Sequence, residues 1–274
     1  MEKTVLGGTG LEVTRIGFGG IPIQRLSVDG AIAVIHKALE LGCGLIVTAR
    51  VYTDSEQKIG AALEGRPERP VLVSKTYSRD ADGARADVDI TLHNLRTSKL
   101  DVYLIHNPNT VELLDKVMAK GGALDGIRRA QQEGLVGHVG ISGHKPAILE
   151  EALARDEFAV VEVPFSAIET ESLPLLKAAA TKNVGTLAMK PLAGGALQNA
   201  SAALRFVLES PVSCVIPGMQ TQQEAEENLA LEGPLSEPER EELTAEAAKW
   251  QDRFCRRCEY CLSVCPNDIN ITLV

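Results

Sequence analysis

Along almost the whole chain, short apolar runs rich in β-branched residues alternate with longer stretches whose apolar positions recur every three or four residues. That alternation is the pattern of buried strands joined by amphipathic crossover helices. The strand candidates are TRIGFGG (14–20), GLIVTAR (44–50), VLVSKT (71–76), DVYLIH (101–106), HVGISG (138–143), AVVEVPF (159–165), GTLAMKP (185–191) and SCVIPG (213–218). Helix-like segments follow them, among them AIAVIHKALELG, SEQKIGAALEG, ADVDITLHNLRTS, PAILEEALARDE and TQQEAEENLALEG. Eight strand-then-helix units in about 220 residues predict an α/β fold closed as a (β/α)8 TIM barrel, because an open doubly wound sheet has about five or six strands.

Two flanking segments complete this organisation. LGGTGLEV, ahead of the first strand, reads as a hairpin around Gly-Thr-Gly placed to plug one barrel end. Behind the eighth unit a charged helix, PEREELTAEAAKWQDRF, leads into a cysteine-rich tail, with Trp250 as the packing anchor of that helix. No low-complexity linker separates the parts, so the expected division is a barrel over 1–236 and an appended helix and tail over 237–274.

Composition narrows the function. The 274 residues are 45% hydrophobic and 4% aromatic, which suits one large aliphatic core. A net charge of −9 argues against nucleic acid or an acidic membrane as partner, since basic residues occur only in short groups such as Arg128 and Arg129. The start, MEKTVLGGTGLEVTRIGFGG, lacks a basic segment followed by a continuous apolar one, and no later run reaches the ~18 apolar residues of a membrane helix. The expected location is the cytoplasm.

The tail carries the sharpest chemical signal. Cys255, Cys258, Cys261 and Cys265, followed by Pro266, form C-x2-C-x2-C-x3-C-P, a spacing that presents neighbouring thiolates to different irons of a [4Fe-4S] cluster. A zinc site ordinarily joins two separated cysteine pairs, and here no second pair exists. The chain has one such run, so either Cys265 folds back to close the same cluster or one iron takes another ligand. Cys43 and Cys214 stand alone in apolar settings, as small buried hydrophobes do. A metal-like cysteine grouping also suits a reducing compartment.

Barrel chemistry collects at the C-terminal ends of the strands. There the sequence sets Tyr52, Lys75, His106, Ser142, His144, Glu162, Lys190 and the Pro217-Gly218 turn. His36, His93 and His138 form no cluster with them in the pattern, and GGTG lacks the preceding strand and following helix of a phosphate loop.

The ordered pieces GLIVTARVYTDSE, VLVSKT, DVYLIHNP, VGISGH, VEVPF, LAMKPLAGG and VIPGMQTQQEAEEN, with FCRRCEYCLSVCP, resemble the aldo-keto reductase superfamily, in its bacterial group with a ferredoxin-like cysteine tail. The resemblance implies hydride transfer from a nicotinamide to a small carbonyl. It implies Tyr52 as general acid, Lys75 as the cation that eases its deprotonation from a pKa of about 10, and His106 as the group that orients the carbonyl or relays the proton. The family pattern F-[IV]-D-T-A reads Leu45-Ile46-Val47-Thr48-Ala49 here, so Val47 takes the place of the aspartate that pairs with the lysine. Without that counter-ion the buried amine is expected to turn neutral, leaving Glu162 or an anionic ligand group as substitutes.

The same resemblance places the cofactor. Ser142 and Glu162 fall where the nicotinamide carboxamide is held, Phe165 where a ring stacks on the nicotinamide, and Lys190 within reach of the phosphates. Pro217, Gly218, Gln220, Glu224 and Asn228 lie along the stretch expected to hold pyrophosphate and adenosine ribose, at a helix N-terminus. Glu224 replaces the arginine that grips the NADP 2′-phosphate, which favours NAD over NADP. The implied partners are a small-molecule substrate and an electron-transfer protein. The alternative is an electron-transfer or interaction protein with a decayed reductase site.

Overall fold

The computed structural model describes residues 2–231, 233–250, 255, 265–267 and 269. A hairpin of β1 (Lys3–Val5) and β2 (Glu12–Thr14) precedes eight parallel strands: β3 (Phe18–Gly19), β4 (Leu45–Val47), β5 (Val71–Thr76), β6 (Leu100–His106), β7 (Val136–Ser142), β8 (Val160–Pro164), β9 (Gly185–Met189) and β10 (Cys214–Ile216). The eight pair in sequence order. Parallel bridges Ile16 to Val215 and Gly19 to Gly218 join the first strand to the last and close the barrel.

The crossover helices are α1 (Val28–Glu40), α2 (Ser55–Leu63), α3 (Ala81–Asn94), α4 (Val111–Met118), α5 (Ala123–Gln132), α6 (Pro146–Ala154), α7 (Leu173–Thr181), α8 (Ala200–Leu208) and α9 (Gln222–Leu229). Two helices, α4 and α5, fill the connection from β6 to β7, where the strand-then-helix pattern predicts one. The first strand is shorter than expected, and its Gly19 pairs with Val47 on one side while approaching β10 closely on the other. A Cβ on Gly19 would sit 2.8 Å from the carbonyl oxygen of Ile216.

Period-two alternation explains the two cores. Leu45, Val47, Val73, Val102, Leu104, Val160, Leu187, Cys214 and Ile216 pack together inside the barrel. Residues of the opposite parity, such as Ile46, Leu72, Tyr103, Ile141 and Val161, pack under the helices. Lys75 and Glu162 continue the interior rows of Val73 and Val160 and so project inward. Burial pushes the Cys43 thiol up to about 11 and the Cys214 thiol further still, which makes both inert packing groups.

The hairpin seals the N-terminal end. Leu6 is fully buried among the interior residues. Its turn is a 3-10 segment, Gly7–Thr9, with Gly10 at φ 73°. Gly7 has φ 54° and lies so close to β9 that a Cβ would fall 2.2 Å from the Gly185 nitrogen.

Beyond the barrel, α10 (Glu237–Ala248) starts with a Ser236/Glu239 capping box. Its Leu243 packs with Leu235, Ala202 and Ala203 against α8, and Arg205 pairs with Glu239 at 2.8 Å. Trp250 does not anchor this helix as expected, since it stands 36% exposed past the last turn. Of the tail cysteines, Cys255 is exposed and Cys265 half-buried, while Cys258 and Cys261 lie outside the described residues. Among the described residues no group of three His, Cys, Asp or Glu side chains is placed to hold a metal, and no helix is long and apolar enough to cross a membrane.

Candidate active site

The inward rows end in a cluster of charged groups at the C-terminal mouth. Lys75, 1% exposed, has its Nζ 3.2 Å from Oε1 of Glu162 and donates to the Thr48 carbonyl at 3.1 Å. Val47 leaves Lys75 without a carboxylate from β4, and of the two expected substitutes it is Glu162, on β8, that stands beside the ammonium. Val47 is itself buried and lines the same cleft.

Tyr52 is set by the turn between β4 and α2, where its N–H donates to the Ala49 carbonyl at 3.0 Å and its carbonyl accepts from the Ser55 N–H at 2.8 Å. The Lys75 ammonium lies 5.0 Å from the centre of its ring. His106 ends β6, with its ring edge-on to Tyr52 at 5.9 Å and to Tyr77 at 5.6 Å. Arg79 lies over the Tyr77 ring at 4.3 Å and donates to the His106 carbonyl at 2.8 Å. Tyr52, Lys75 and His106 are therefore one contiguous group.

Burial dominates the electrostatics. It pushes the Lys75 ammonium down and the Glu162 carboxyl up, and each partner pulls the other back toward the charged form. Burial, then the charges of Lys75, His144 and Arg79, hold the His106 imidazole well below its ordinary 6.5. Burial thus favours the neutral imidazole.

Above this floor opens a cleft of about 260 Å³ whose base includes Val47, Tyr52, Lys75 and Glu162. Its walls carry Lys190, Gly218, Gln220 and Glu224. Lys190 sits at φ 57°, a strained conformation for a non-glycine residue, as it turns from β9 toward the cleft. Glu224 accepts from the Gln220 N–H, and Thr221 caps α9 by accepting from the Glu224 N–H at 3.0 Å.

Four expected contacts stand elsewhere. Phe165 lies parallel to Phe206 at 6.0 Å, 1% exposed and outside the cleft lining, so its ring is packed under α8. Ser142 and Asn228 are buried and do not line the cleft, and Pro217 contributes its carbonyl to the Gly19 N–H at 2.8 Å. The structure adds Arg25, Met189 and the Gly194-Gly195 turn to the lining. The LAGG segment after the seventh barrel strand carried the signal for that turn, since both glycines have positive φ.

A barrel of this order, with a lysine, a tyrosine and a histidine joined at its C-terminal mouth, meets a family match over residues 15–202 to the Aldo/keto reductase family. The chain belongs to the aldo/keto reductase family. It is an NAD(P)-dependent oxidoreductase. The sequence is 24% identical over 214 residues to an uncharacterized oxidoreductase, YqkF, of Bacillus subtilis, covering 72% of this chain and 67% of that protein. It is 31% identical over 183 residues to methylglyoxal reductase DkgA of Salmonella typhimurium, covering 64% and 63% respectively. The fold matches the holo form of aldo-keto reductase AKR11C1 from Bacillus halodurans with a TM-score of 0.77 at 21% identity, over 92% of this chain and 97% of that one.

The residues present fit a nicotinamide dinucleotide. Oε2 of Glu162, buried at the base of the cleft, has no hydrogen-bond partner among the described residues and is free to accept from a carboxamide NH2. Gly19 and Gly218 bring bare backbone to the wall, and Lys190 and Arg25 are cationic side chains of the same lining, a charge that suits phosphates.

Proposed function

We propose that this reductase acts on a small, reactive aldehyde or ketone of the methylglyoxal class, with Tyr52 as proton donor and a dinucleotide in the cleft above it. The observation that carries this reading is the Lys75 ammonium 5.0 Å from the Tyr52 ring, with His106 edge-on to the same ring. The bound nicotinamide supplies the hydride. Tyr52 gives its proton to the carbonyl oxygen, and Lys75 stabilises the charge that develops on the phenol oxygen. His106, neutral and fixed between two tyrosine rings, orients the carbonyl. The ion pair retained by Lys75 favours a working site over a decayed one.

Glu162 accepts from the carboxamide, Lys190 and the Gly218 backbone meet the phosphates, and Glu224 disfavours a 2′-phosphate, so NADH is the preferred reductant. The chemistry of the cysteine set fits a [4Fe-4S] cluster on the tail, which supplies one-electron exchange with a protein partner. Titration of NADH and NADPH fluorescence, followed by turnover of methylglyoxal, tests the cleft; failure to bind either dinucleotide overturns the reading. Anaerobic purification tests the tail: iron and acid-labile sulfide near four each per chain are expected, and stoichiometric zinc without sulfide refutes the cluster.

A further inference from the structure

The inward rows of the barrel place one lysine on β5 and one glutamate on β8, three staves away in the order β5-β6-β7-β8. Their 3.2 Å contact spans the barrel interior, and both side chains are at most 2% exposed. Lys75 also donates to the Thr48 carbonyl, which is neutral. The remaining titratable groups around the pair are Tyr52 from the β4 loop, His106 from β6 and Lys190 from the end of β9. None of them brings a negative charge. A fully buried ammonium without a counter-ion surrenders its proton.

We propose that Glu162 is the positioning residue of the proton-transfer site: it keeps Lys75 an ammonium beside Tyr52, taking over from β8 the counter-ion duty that the family pattern gives to position 47 on β4. This rests on Tyr52 and Lys75 acting as proposed above. One carboxylate then has two tasks. Oε1 holds the lysine, while Oε2, buried and without a hydrogen-bond partner among the described residues, is left to accept from the carboxamide. The seat of the carboxamide and the charge that assists Tyr52 are thereby joined in a single side chain.

Urea unfolding of the ligand-free protein between pH 6 and 9 isolates the ion pair. In Glu162→Gln the folded-state pKa of Lys75 drops further below its unfolded value of 10.5, because Glu162 is the group that raises it. Within that window the unfolded chain binds more protons, so stability rises with pH, approaching a tenfold gain in the folding constant per pH unit for one proton (about 1.4 kcal/mol). The expected result is a steeper rise in E162Q than in the parent, and none of that excess in K75M/E162Q.

Steady-state reduction of methylglyoxal supplies the second readout. E162Q is expected to lose about 10²-fold in kcat at pH 8, with KM for the carbonyl within about threefold, and to recover as pH falls. V47D/E162Q is expected to restore a flat profile. A parental stability slope in E162Q, an excess slope that persists in K75M/E162Q, or a parental kcat and pH profile in E162Q each overturns the proposal. Should V47D/E162Q not fold, the slopes of E162Q and K75M/E162Q decide. A parent that binds no dinucleotide and reduces no carbonyl refutes the enzymatic reading instead, and the ligand-free slopes still decide whether Glu162 holds Lys75.

Discussion

The carboxylate of Glu224 accepts a 2.6 Å hydrogen bond from the backbone N–H of Gln220, at the approach to α9. An anion supplied by the chain itself therefore occupies a donor that a phosphate would use. Glu224→Gln removes the charge and loosens that contact. The ratio of kcat/KM for NADPH to that for NADH is expected to rise roughly two- to fivefold, as for one charge at a helix N-terminus. An unchanged ratio would show that Glu224 does not set cofactor preference.

Tyr52→Phe keeps the ring that Lys75 and His106 contact and removes only the hydroxyl. A fall in kcat of about 10²–10⁴-fold is expected, the range for a lost general acid. Dinucleotide affinity, measured by fluorescence titration, should stay near that of the parent, because the chain's contacts to the cofactor lie elsewhere in the cleft.

His106 gives a pH signature. Its folded pKa lies well below the ordinary 6.5. Between that lowered value and 6.5 the unfolded chain binds the extra proton, so stability is lost as pH falls through this window and is retained above it. In His106→Asn the pH dependence of the urea midpoint below 6.5 should flatten. Imidazole proton resonances followed by NMR should show His106 still neutral at pH 6, and an ordinary titration midpoint would contradict the assignment of a neutral carbonyl-orienting group.

Beneath the barrel wall, Glu56 accepts from Arg50, Ser74, Thr91 and Asn94 at 2.8 to 3.0 Å, joining α2, β5 and α3. Glu56→Ala leaves a partly buried guanidinium and a buried amide without their acceptor. A loss of about 3–5 kcal/mol is expected in urea unfolding at neutral pH. A loss below about 1 kcal/mol would mean the network relaxes around its missing centre.

Much of this molecule is legible in its sequence. Strands such as Leu100–His106 and Val136–Ser142 are buried on both faces, so they read as continuous apolar runs, and eight of them imply closure. Parity along a strand held more than motif order. With Val160 and Glu162 facing inward, Phe165 must face the helices, which is where it packs against Phe206. Glu162 was legible as a substitute counter-ion for Lys75 but its distance was not, because the separation of non-adjacent staves depends on barrel closure and not on spacing in the chain. Trp250 misled because α10 buries only Leu243, leaving the tryptophan no apolar stripe to extend.

The two bridges that unite the first and last barrel strands contrast with the long register between β6 and β7. They make that junction the seam of the barrel. The cleft straddles it, with Gly19 on one lip and Gly218 on the other. A dinucleotide laid across both lips acts as a suture, and by mass action its free energy of binding adds to the work needed to part them. Amide exchange at the N–H groups of Gly17, Gly19 and Val215, which hydrogen-bond across the junction, would therefore slow as the cleft fills, so that the same backbone that seats the cofactor records how much of it is present.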